Sequence, residues 1–322
     1  MAQQIAVGLT NENVVLEASG LSVTVLPHLG GKIASIRMGE TELLQTPLLP
    51  YAPRTQTMAF DEADASGWDE CLPSVAACSV QLANGSVAHI PDHGDLWRVQ
   101  WEPTGADEGT LRAECISLPL VLVRSLAIAG TETGWELQTN YSLTNTGKHA
   151  VPWSWAAHPL FAVEPGDRIV LPESIHSLRL EGSGGNRLGI GGDTVSWPIA
   201  SLAAGKETDL SLAQSIDSRI GDKLFAGPLH ASENWCLLER PNAGVRIKVC
   251  FDPVAMPYLG LWLCYGGWPA RPGLKQMCVA LEPSSAPVDS LAATGSWSRS
   301  LAPGDCFCWS MTVEFESIAN VN

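Results

Sequence analysis

Segments in which apolar and polar residues alternate recur along the whole chain, and this period of two is what most restricts its fold. Residues 135–143 and 245–251 show it clearly, with one apolar and one polar face. That pattern is typical of antiparallel strands with one half-solvated face. No segment of ten or more residues has a convincing helical period, apart from a short helix expected near 209–217. The chain is therefore predicted to be all-β, a large antiparallel sandwich.

The length of the chain allows two domains or one large all-β domain, and the lack of a dividing linker predicts a single domain over residues 1–322. Hydrophobic residues make up 45% of the 322 residues and charged ones only 16%. This composition favours a large buried core and excludes coiled coil and disorder. No linker and no internal repeat divides the sequence. The glycine-rich residues 180–208 are expected to form a long loop system.

The charge and the cysteines restrict the partners and the compartment. A formal net charge of −15 disfavours nucleic acid and anionic membranes, which leaves a small neutral ligand as the better partner. The first residues lack a basic region before their apolar segment, so we expect an unexported, cytoplasmic protein. The nine cysteines are odd in number, and the one close pair, Cys306-Phe-Cys308, lacks the spacing of a zinc or redox motif. We therefore expect reduced thiols and no metal site.

The stretch 153–161, Trp-Ser-Trp-Ala-Ala-His-Pro-Leu-Phe, is the first candidate site. A tryptophan face stacks on the CH surface of a sugar, and the imidazole of His158 titrates near neutral pH. A lone histidine in an apolar strand is more often a core residue with one backbone hydrogen bond. Both readings of His158 stay open on this stretch alone.

Two further positions carry unusual polar residues. His93 lies in the turn Asp92-His-Gly94, followed by Arg98 on the next segment. Glu282 ends the apolar run 277–282 and precedes a proline, which places a carboxylate beside a loop. An ordinary solvated or capping carboxylate would give the same pattern at Glu282.

The order of these motifs resembles the aldose 1-epimerase, or galactose mutarotase-like, family. The matching features are Gly30-Gly31, Gly-Trp-Asp-Glu-Cys-Leu-Pro at 67–73, the His93-Gly94 turn, His-Pro-Leu-Phe at 158–161 and Leu-Glu-Pro at 281–283. They are short motifs dispersed over most of the chain. The acid of the family usually follows an asparagine, whereas Ala157 precedes His158 here, which resembles a more divergent branch.

The resemblance implies a β-supersandwich with an open carbohydrate cleft and assigns a role to each candidate. Glu282 matches the catalytic base, His158 the catalytic acid, and His93 the second histidine that holds the sugar near its ring oxygen. A carboxylate is ionised at pH 7, and a histidine needs only a nearby negative charge to stay protonated, so the pair is expected to work without metal or cofactor.

The remaining substrate contacts are assigned less directly. Asp222 is the candidate for the aspartate that binds sugar hydroxyls. An arginine usually contributes to the site as well, and Arg98 is preferred over Arg54 for this role. Trp68 and Trp155 are expected to stack on the sugar.

The function implied is interconversion of the α and β anomers of a hexose by a monomer or homodimer. Removing the C1-hydroxyl proton while protonating the ring oxygen opens the ring, and closure on the other face completes the reaction. Alternatives are a non-catalytic sugar-binding or sensing protein, a sugar-phosphate 1-epimerase, and the supersandwich domain of a sugar lyase or hydrolase. A phosphorylated substrate would require clustered cations, and those of this chain are dispersed.

Overall fold

The computed structural model describes residues 6–10, 13–105 and 107–318, and its regular structure is 49% strand and 7% helix. The predicted all-β class is therefore confirmed. In chain order the strands are β1 (Ala6–Thr10), β2 (Asn13–Ala18), β3 (Leu21–Leu26), β4 (Lys32–Met38), β5 (Thr41–Glu42), β6 (Trp68–Cys71), β7 (Cys78–Gln81), β8 (Val87–Ile90), β9 (Glu102–Pro103), β10 (Thr110–Glu114), β11 (Leu120–Gly130), β12 (Gly134–Asn145), β13 (Val151–Trp153), β14 (Ala156–Ala162), β15 (Arg168–Val170), β16 (Ser177–Ser183), β17 (Thr194–Ser196), β18 (Ile199–Ser201), β19 (Glu207–Asp209), β20 (Ile220–Ala226), β21 (Trp235–Arg240), β22 (Val245–Phe251), β23 (Tyr258–Tyr265), β24 (Met277–Ser284), β25 (Arg299–Leu301) and β26 (Cys306–Ser317). The helices are single 3₁₀ turns at Pro27–Leu29, Phe60–Glu62, Leu96–Arg98, Gly184–Asn186, Ile216–Ser218, Leu291–Ala293 and Gly295–Trp297.

Two large antiparallel sheets build the sandwich. The first has the order β1-β2-β3-β4-β6-β14-β24-β23-β20-β16-β17, with β5 paired to β4. The second has the order β15-β21-β22-β26-β12-β11-β10-β9. Three two-stranded pairs, β7-β8, β13-β25 and β18-β19, lie outside them. One apolar core cluster contains side chains of both large sheets, so the sheets pack face to face.

The central strands of the first sheet are buried on both faces. On β24, Val279 and Leu281 point into the core between the sheets, while Ala280 and Glu282 point to the opposite face. All four side chains are fully buried. Loops and 3₁₀ turns cover that opposite face, and the cavity described below lies there.

A buried ion pair connects the two sheets. Glu70 on β6 accepts hydrogen bonds from Arg124 on β11 (3.0 Å), from the hydroxyl of Tyr141 on β12 (3.0 Å) and from the indole of Trp155 (3.0 Å). Arg124 also donates to the carbonyl of Gly31. Glu70 and Arg124 are fully buried, so each depends on the other to remain charged.

Two local expectations were wrong. Residues 180–208 contain strands rather than one long loop, because Leu178 and Leu180 on β16 face the core and draw the segment into the first sheet. Gly182 lies within β16, and other glycines of the segment lie at turns, as at Gly185 with φ +62°. The helix expected near 209–217 is reduced to the single 3₁₀ turn Ile216–Ser218.

Domain organisation and membrane association are separate matters. That residues 1–322 form one domain stays a prediction. Among the described residues, no helix is long and apolar enough to cross a membrane.

Replacing Arg124 by methionine should lower the free energy of unfolding by about 3–5 kcal/mol, because it leaves the Glu70 carboxylate buried without its cation. Chemical denaturation monitored by tryptophan fluorescence measures the change. The control is Arg112→Met on the neighbouring strand β10, where the ion pair with Glu114 is partly exposed and a change below about 1 kcal/mol is expected. Equal losses in the two variants would contradict the structural role given to Arg124.

Candidate active site

Strand register brings Glu282 and His158 together on the covered face of the first sheet. Ala156 on β14 pairs with Ser284 on β24, and Leu160 pairs with Ala280. Counting inward from these pairs places His158 opposite Glu282. Residues directly opposite in an antiparallel pair point to the same face. Accordingly, the Nε2 atom of His158 lies 3.9 Å from the Oε1 atom of Glu282.

The carboxylate of Glu282 is fully buried and bonded on one side only. Its Oε2 atom accepts a hydrogen bond from the ammonium of Lys223, and within the described part of the chain its Oε1 atom has no hydrogen-bond partner. Burial raises the pKa of Glu282 above its usual value of 4.5, and the charge of Lys223 opposes this effect. Burial by itself would lower the pKa of Lys223, but the carboxylates of Asp289 and Glu282 raise it, so Lys223 remains protonated. Glu282 therefore keeps one buried oxygen without a hydrogen bond.

The imidazole of His158 is almost completely buried. Its Nδ1 atom has no hydrogen-bond partner among the described residues, and its ring meets the rings of Phe60 and His93 edge to face, at centroid distances of 5.6 and 5.2 Å. Burial, together with the nearby His93 and Lys223, lowers the pKa of His158 well below its usual value of 6.5. The expectation that a nearby negative charge keeps His158 protonated is therefore wrong, because burial and the neighbouring His93 and Lys223 all disfavour the charged imidazolium.

His93 occupies a tight turn that holds its ring against the cavity. Its φ is +58°, and the following Gly94 has φ +70°. A Cβ on Gly94 would lie 2.1 Å from the carbonyl oxygen of Leu72, so only glycine fits there. The Nδ1 atom of His93 lies 2.9 Å from Oδ2 of Asp92, and its ring stacks on Phe60 at 3.8 Å between centroids.

Arg98 supports this turn and does not line the cavity. Its guanidinium donates to the backbone carbonyls of Asp92 (2.8 Å), Gly94 (2.6 Å) and Met58 (2.8 Å). Those bonds occupy the donors that would bind a substrate. The expectation that Arg98 contacts the sugar is corrected, because its side chain is directed into the fold behind His93. The competing Arg54 is bonded to the buried Asp64.

The cavity between these groups has a volume of about 170 Å³. This is more than ten times the roughly 10–15 Å³ that one water molecule requires, so a small organic molecule fits. Aromatic side chains form its walls, and ionisable groups project into it. The lining residues are Phe60, Val75, Ala76, Asp92, His93, His158, Lys223, Trp262, Trp268, Gln276 and Asp289.

Trp68 and Trp155 lie elsewhere, contrary to expectation. Trp68 points into the core between the sheets and is fully buried. Trp155 points the same way, donates to Glu70 and packs edge to face on Tyr141. Both belong to the face of the first sheet opposite the cavity.

Asp222 on β20 points away from the cavity, whereas its neighbour Lys223 lines it. Asp222 shares its face with Ile220 and Leu224, where it accepts hydrogen bonds from Ser183 (2.7 Å) and Arg187 (2.8 Å). It is fully buried and does not line the cavity, so its assignment as a substrate contact is corrected. The next residue, Lys223, points to the opposite face and reaches Glu282, because side chains alternate along a strand.

Several residues that line the cavity were missed in the sequence. The alternation of apolar residues in β20 contained a signal for Lys223, since the polar residue out of phase with Ile220 and Leu224 has to face the other side. Trp262 and Trp268 come from β23 and the loop after it, and Phe60 from a 3₁₀ turn. No comparable signal marked these aromatic residues. Within the described residues, no group of three or more His, Cys, Asp or Glu side chains is arranged to hold a metal ion.

Comparison with known proteins supports the fold. No protein-family model matches the chain, and no curated protein matches it by sequence. Solved structures do resemble it. The Slr1438 protein from Synechocystis sp. PCC 6803 superposes with a TM-score of 0.67 at 15% identity, over 98% of this chain and 96% of that one.

Two other solved structures connect this architecture with mutarotases. A galactose mutarotase-like protein from Lactobacillus casei has a TM-score of 0.66 at 15% identity, over 94% of this chain and 100% of its own. The GalM/aldose epimerase homologue from C. elegans has a TM-score of 0.59 at 13% identity, over 98% and 100% of the two chains. The protein therefore has the galactose mutarotase-like fold, as the resemblance of its motifs implied.

The depressed pKa of His158 has a consequence for stability. In the unfolded chain the histidine gains a proton as the pH falls below its usual 6.5, while the folded form resists protonation, so stability is lost as the pH falls. Between pH 6.5 and 5 the loss amounts to at most about 2 kcal/mol. We expect His158→Gln to reduce this pH dependence and His230→Gln, at an exposed site, to leave it unchanged. Denaturant titrations at several pH values measure the effect, and an unaltered slope in His158→Gln would contradict it.

Proposed function

We propose that the protein interconverts the α and β anomers of a free aldose by opening and closing its ring. The observation that carries the proposal is the unbonded Oε1 atom of Glu282, which faces His158 across 3.9 Å beside an aromatic-walled cavity. The solved structures with this fold include proteins named as mutarotase-like and as an aldose epimerase homologue. An ionised carboxylate and an imidazole are the two groups that such a reaction needs.

In this mechanism Glu282 Oε1 takes the proton of the C1 hydroxyl. The electrons of that O–H bond form the C1 carbonyl, and the bond between C1 and the ring oxygen breaks. The ring oxygen, now negatively charged, accepts a hydrogen bond from an N–H of His158. After rotation about C1–C2 the ring oxygen attacks the other face of the carbonyl, and Glu282 returns its proton to O1. All atoms and charges balance, and neither metal nor cofactor takes part in these steps.

His158 acts here as a neutral hydrogen-bond donor. Its depressed pKa makes an imidazolium a minor species at neutral pH. A neutral imidazole N–H in a dry site still stabilises a developing oxyanion, because the low local dielectric strengthens the bond. This modifies the proton-donating role that the motif resemblance implies.

The charges in the cavity favour an unphosphorylated sugar. Among the described residues that line it, none is an arginine, and Lys223 is bonded to Glu282. The carboxylates of Asp92 and Asp289 add negative charge. A phosphate group recognised by protein usually meets a cluster of cations. We therefore propose a free hexose, rather than a hexose phosphate, as the substrate.

Glu282→Gln should lower kcat for anomer interconversion by about 10²–10⁴-fold, because an amide cannot take up the C1 proton. Polarimetry of freshly dissolved glucose and galactose, with buffer alone subtracted, measures the rate. His158→Asn should also lower kcat more than it raises KM, since its bond strengthens as the ring opens. Glu102→Gln, at an exposed site, is the control, and melting temperatures separate lost activity from lost folding.

Wild-type kcat in a folded Glu282→Gln variant would contradict the assignment of the base. Saturable sugar binding by the wild type without acceleration over buffer would instead favour the non-catalytic binding protein.

Trp268→Leu should raise KM severalfold while leaving kcat nearly unchanged, because a wall that stacks on the sugar binds the ground and transition states alike. Trp297→Leu is the matched control, since Trp297 is 37% exposed and lies outside the cavity. Initial rates over a range of sugar concentrations separate the two constants. A fall in kcat with KM unchanged would contradict the role of Trp268 as a sugar-binding wall.

A further inference from the structure

Lys223 and Glu282 do not stand directly opposite each other in the first sheet, and the residue between them explains how they meet. In the strand register Lys223 pairs with Trp262 on β23, whereas Glu282 pairs with Gly260. A Cβ at position 260 would lie 3.2 Å from both Cβ and Oε2 of Glu282 and 3.1 Å from the ring of Phe225. The missing side chain of Gly260 therefore clears the path along which Lys223 reaches Glu282.

The ammonium of Lys223 is held from two sides at the edge of the cavity. Its Nζ atom donates to Oε2 of Glu282 and lies 3.5 Å from Oδ1 of Asp289. Its side chain is 10% exposed, whereas that of Glu282 is completely buried. The ion pair keeps the amine protonated, so Lys223 is unsuited to attack the carbonyl of an open-chain sugar as a nucleophile.

Lys223 and, more weakly, His93 favour the negative charge of Glu282, whereas burial and Asp289 disfavour it. Asp289 from the loop after β24 is a carboxylate, and Cys71 on β6 and Cys278 on β24 are buried thiols. His158 faces it from β14 with a depressed pKa, and His93 faces it from the turn before the Leu96–Arg98 helix. Within the described part of the chain, Lys223 is the cation bonded to Glu282.

Resting on the proposed function, we propose that Lys223 is the positioning residue of the base: it keeps Glu282 ionised in a dry site and selects Oε1 as the oxygen that takes the proton. Bonding at Oε2 withdraws that oxygen from the substrate and fixes the plane of the carboxylate. Oε1 is then left beside His158, which lines the cavity. A carboxylate without this partner would take up a proton in such surroundings and lose its function as a base.

The experiment compares the pH dependence of kcat/KM in the wild type and in Lys223→Met, a variant of similar shape without charge. Loss of the ammonium should move the acid limb of the profile to higher pH by at least about one unit, because burial of Glu282 is no longer opposed. Activity should therefore fall far more at pH 6 than at pH 9, and Lys223→Arg should restore most of it at pH 6. A loss by the same factor at every pH would overturn the proposal.

Two controls separate this effect from general damage. Lys248→Met on β22 removes a partly exposed lysine paired with Glu314 and should leave the pH profile unchanged. Gly260→Ala keeps every charged residue but crowds Glu282, so it should move the acid limb in the same direction by a smaller amount. Gly182→Ala, where a Cβ meets nothing within 4 Å, is the matched control for it.

A measurement without turnover distinguishes failure of this inference from failure of the proposed function. Infrared spectra of Lys223→Met at pH 7 should contain the carbonyl stretch of a protonated carboxyl group, which disappears in the Lys223→Met/Glu282→Gln double variant and is absent in the wild type. If no sugar is interconverted but this band appears, the proposed function fails and the role of Lys223 stands. If the sugar is interconverted and the band is missing, Glu282 stays ionised without Lys223 and the inference fails.

Discussion

Burial of both faces of the central strands in the first sheet is the constraint on which the rest of the molecule depends. A strand buried on one face needs one apolar row, but β6, β14, β23, β24 and β20 have to satisfy two different environments at once. Their inner rows pack against the second sheet. Their outer rows contain His158, Glu282 and Lys223, which can be charged or polar only because they meet one another and the cavity.

Buried carboxylates occur on both faces of the first sheet. Their hydrogen bonds distinguish those that stabilise the fold from the one that can react. Glu70 accepts three hydrogen bonds, two at Oε1 and one at Oε2. It therefore connects the sheets and has no oxygen left for a ligand. Asp69 and Asp64 are held by Lys32 in a similar buried cluster. Glu282 combines full burial, one cation and one unbonded oxygen beside a cavity. Burial alone would not separate it from Glu70.

The sequence was most informative where a residue type is unusual for its pattern. Glu282, His158 and His93 were recognised as polar residues unusual for their surroundings. His93 and His158 line one cavity, and Glu282 lies 3.9 Å from the ring of His158. The aromatic contacts were not recognised. Trp68 and Trp155 are close in sequence to the candidate residues, yet one step along a strand reverses the face, which places both indoles in the core between the sheets.

The sequence by itself determined the period of two, and with it the all-β class and the residue types that a proton transfer needs. Tertiary structure alone decided which of these residues meet. The register between β14 and β24 sets His158 against Glu282, and the parity of β20 turns Lys223 toward them while Asp222 faces away. Contacts between strands far apart in sequence depend on register and twist, which local alternation does not encode. The lowered pKa of His158 follows from its burial and from the nearby charge of Lys223, and both effects arise only in the folded chain.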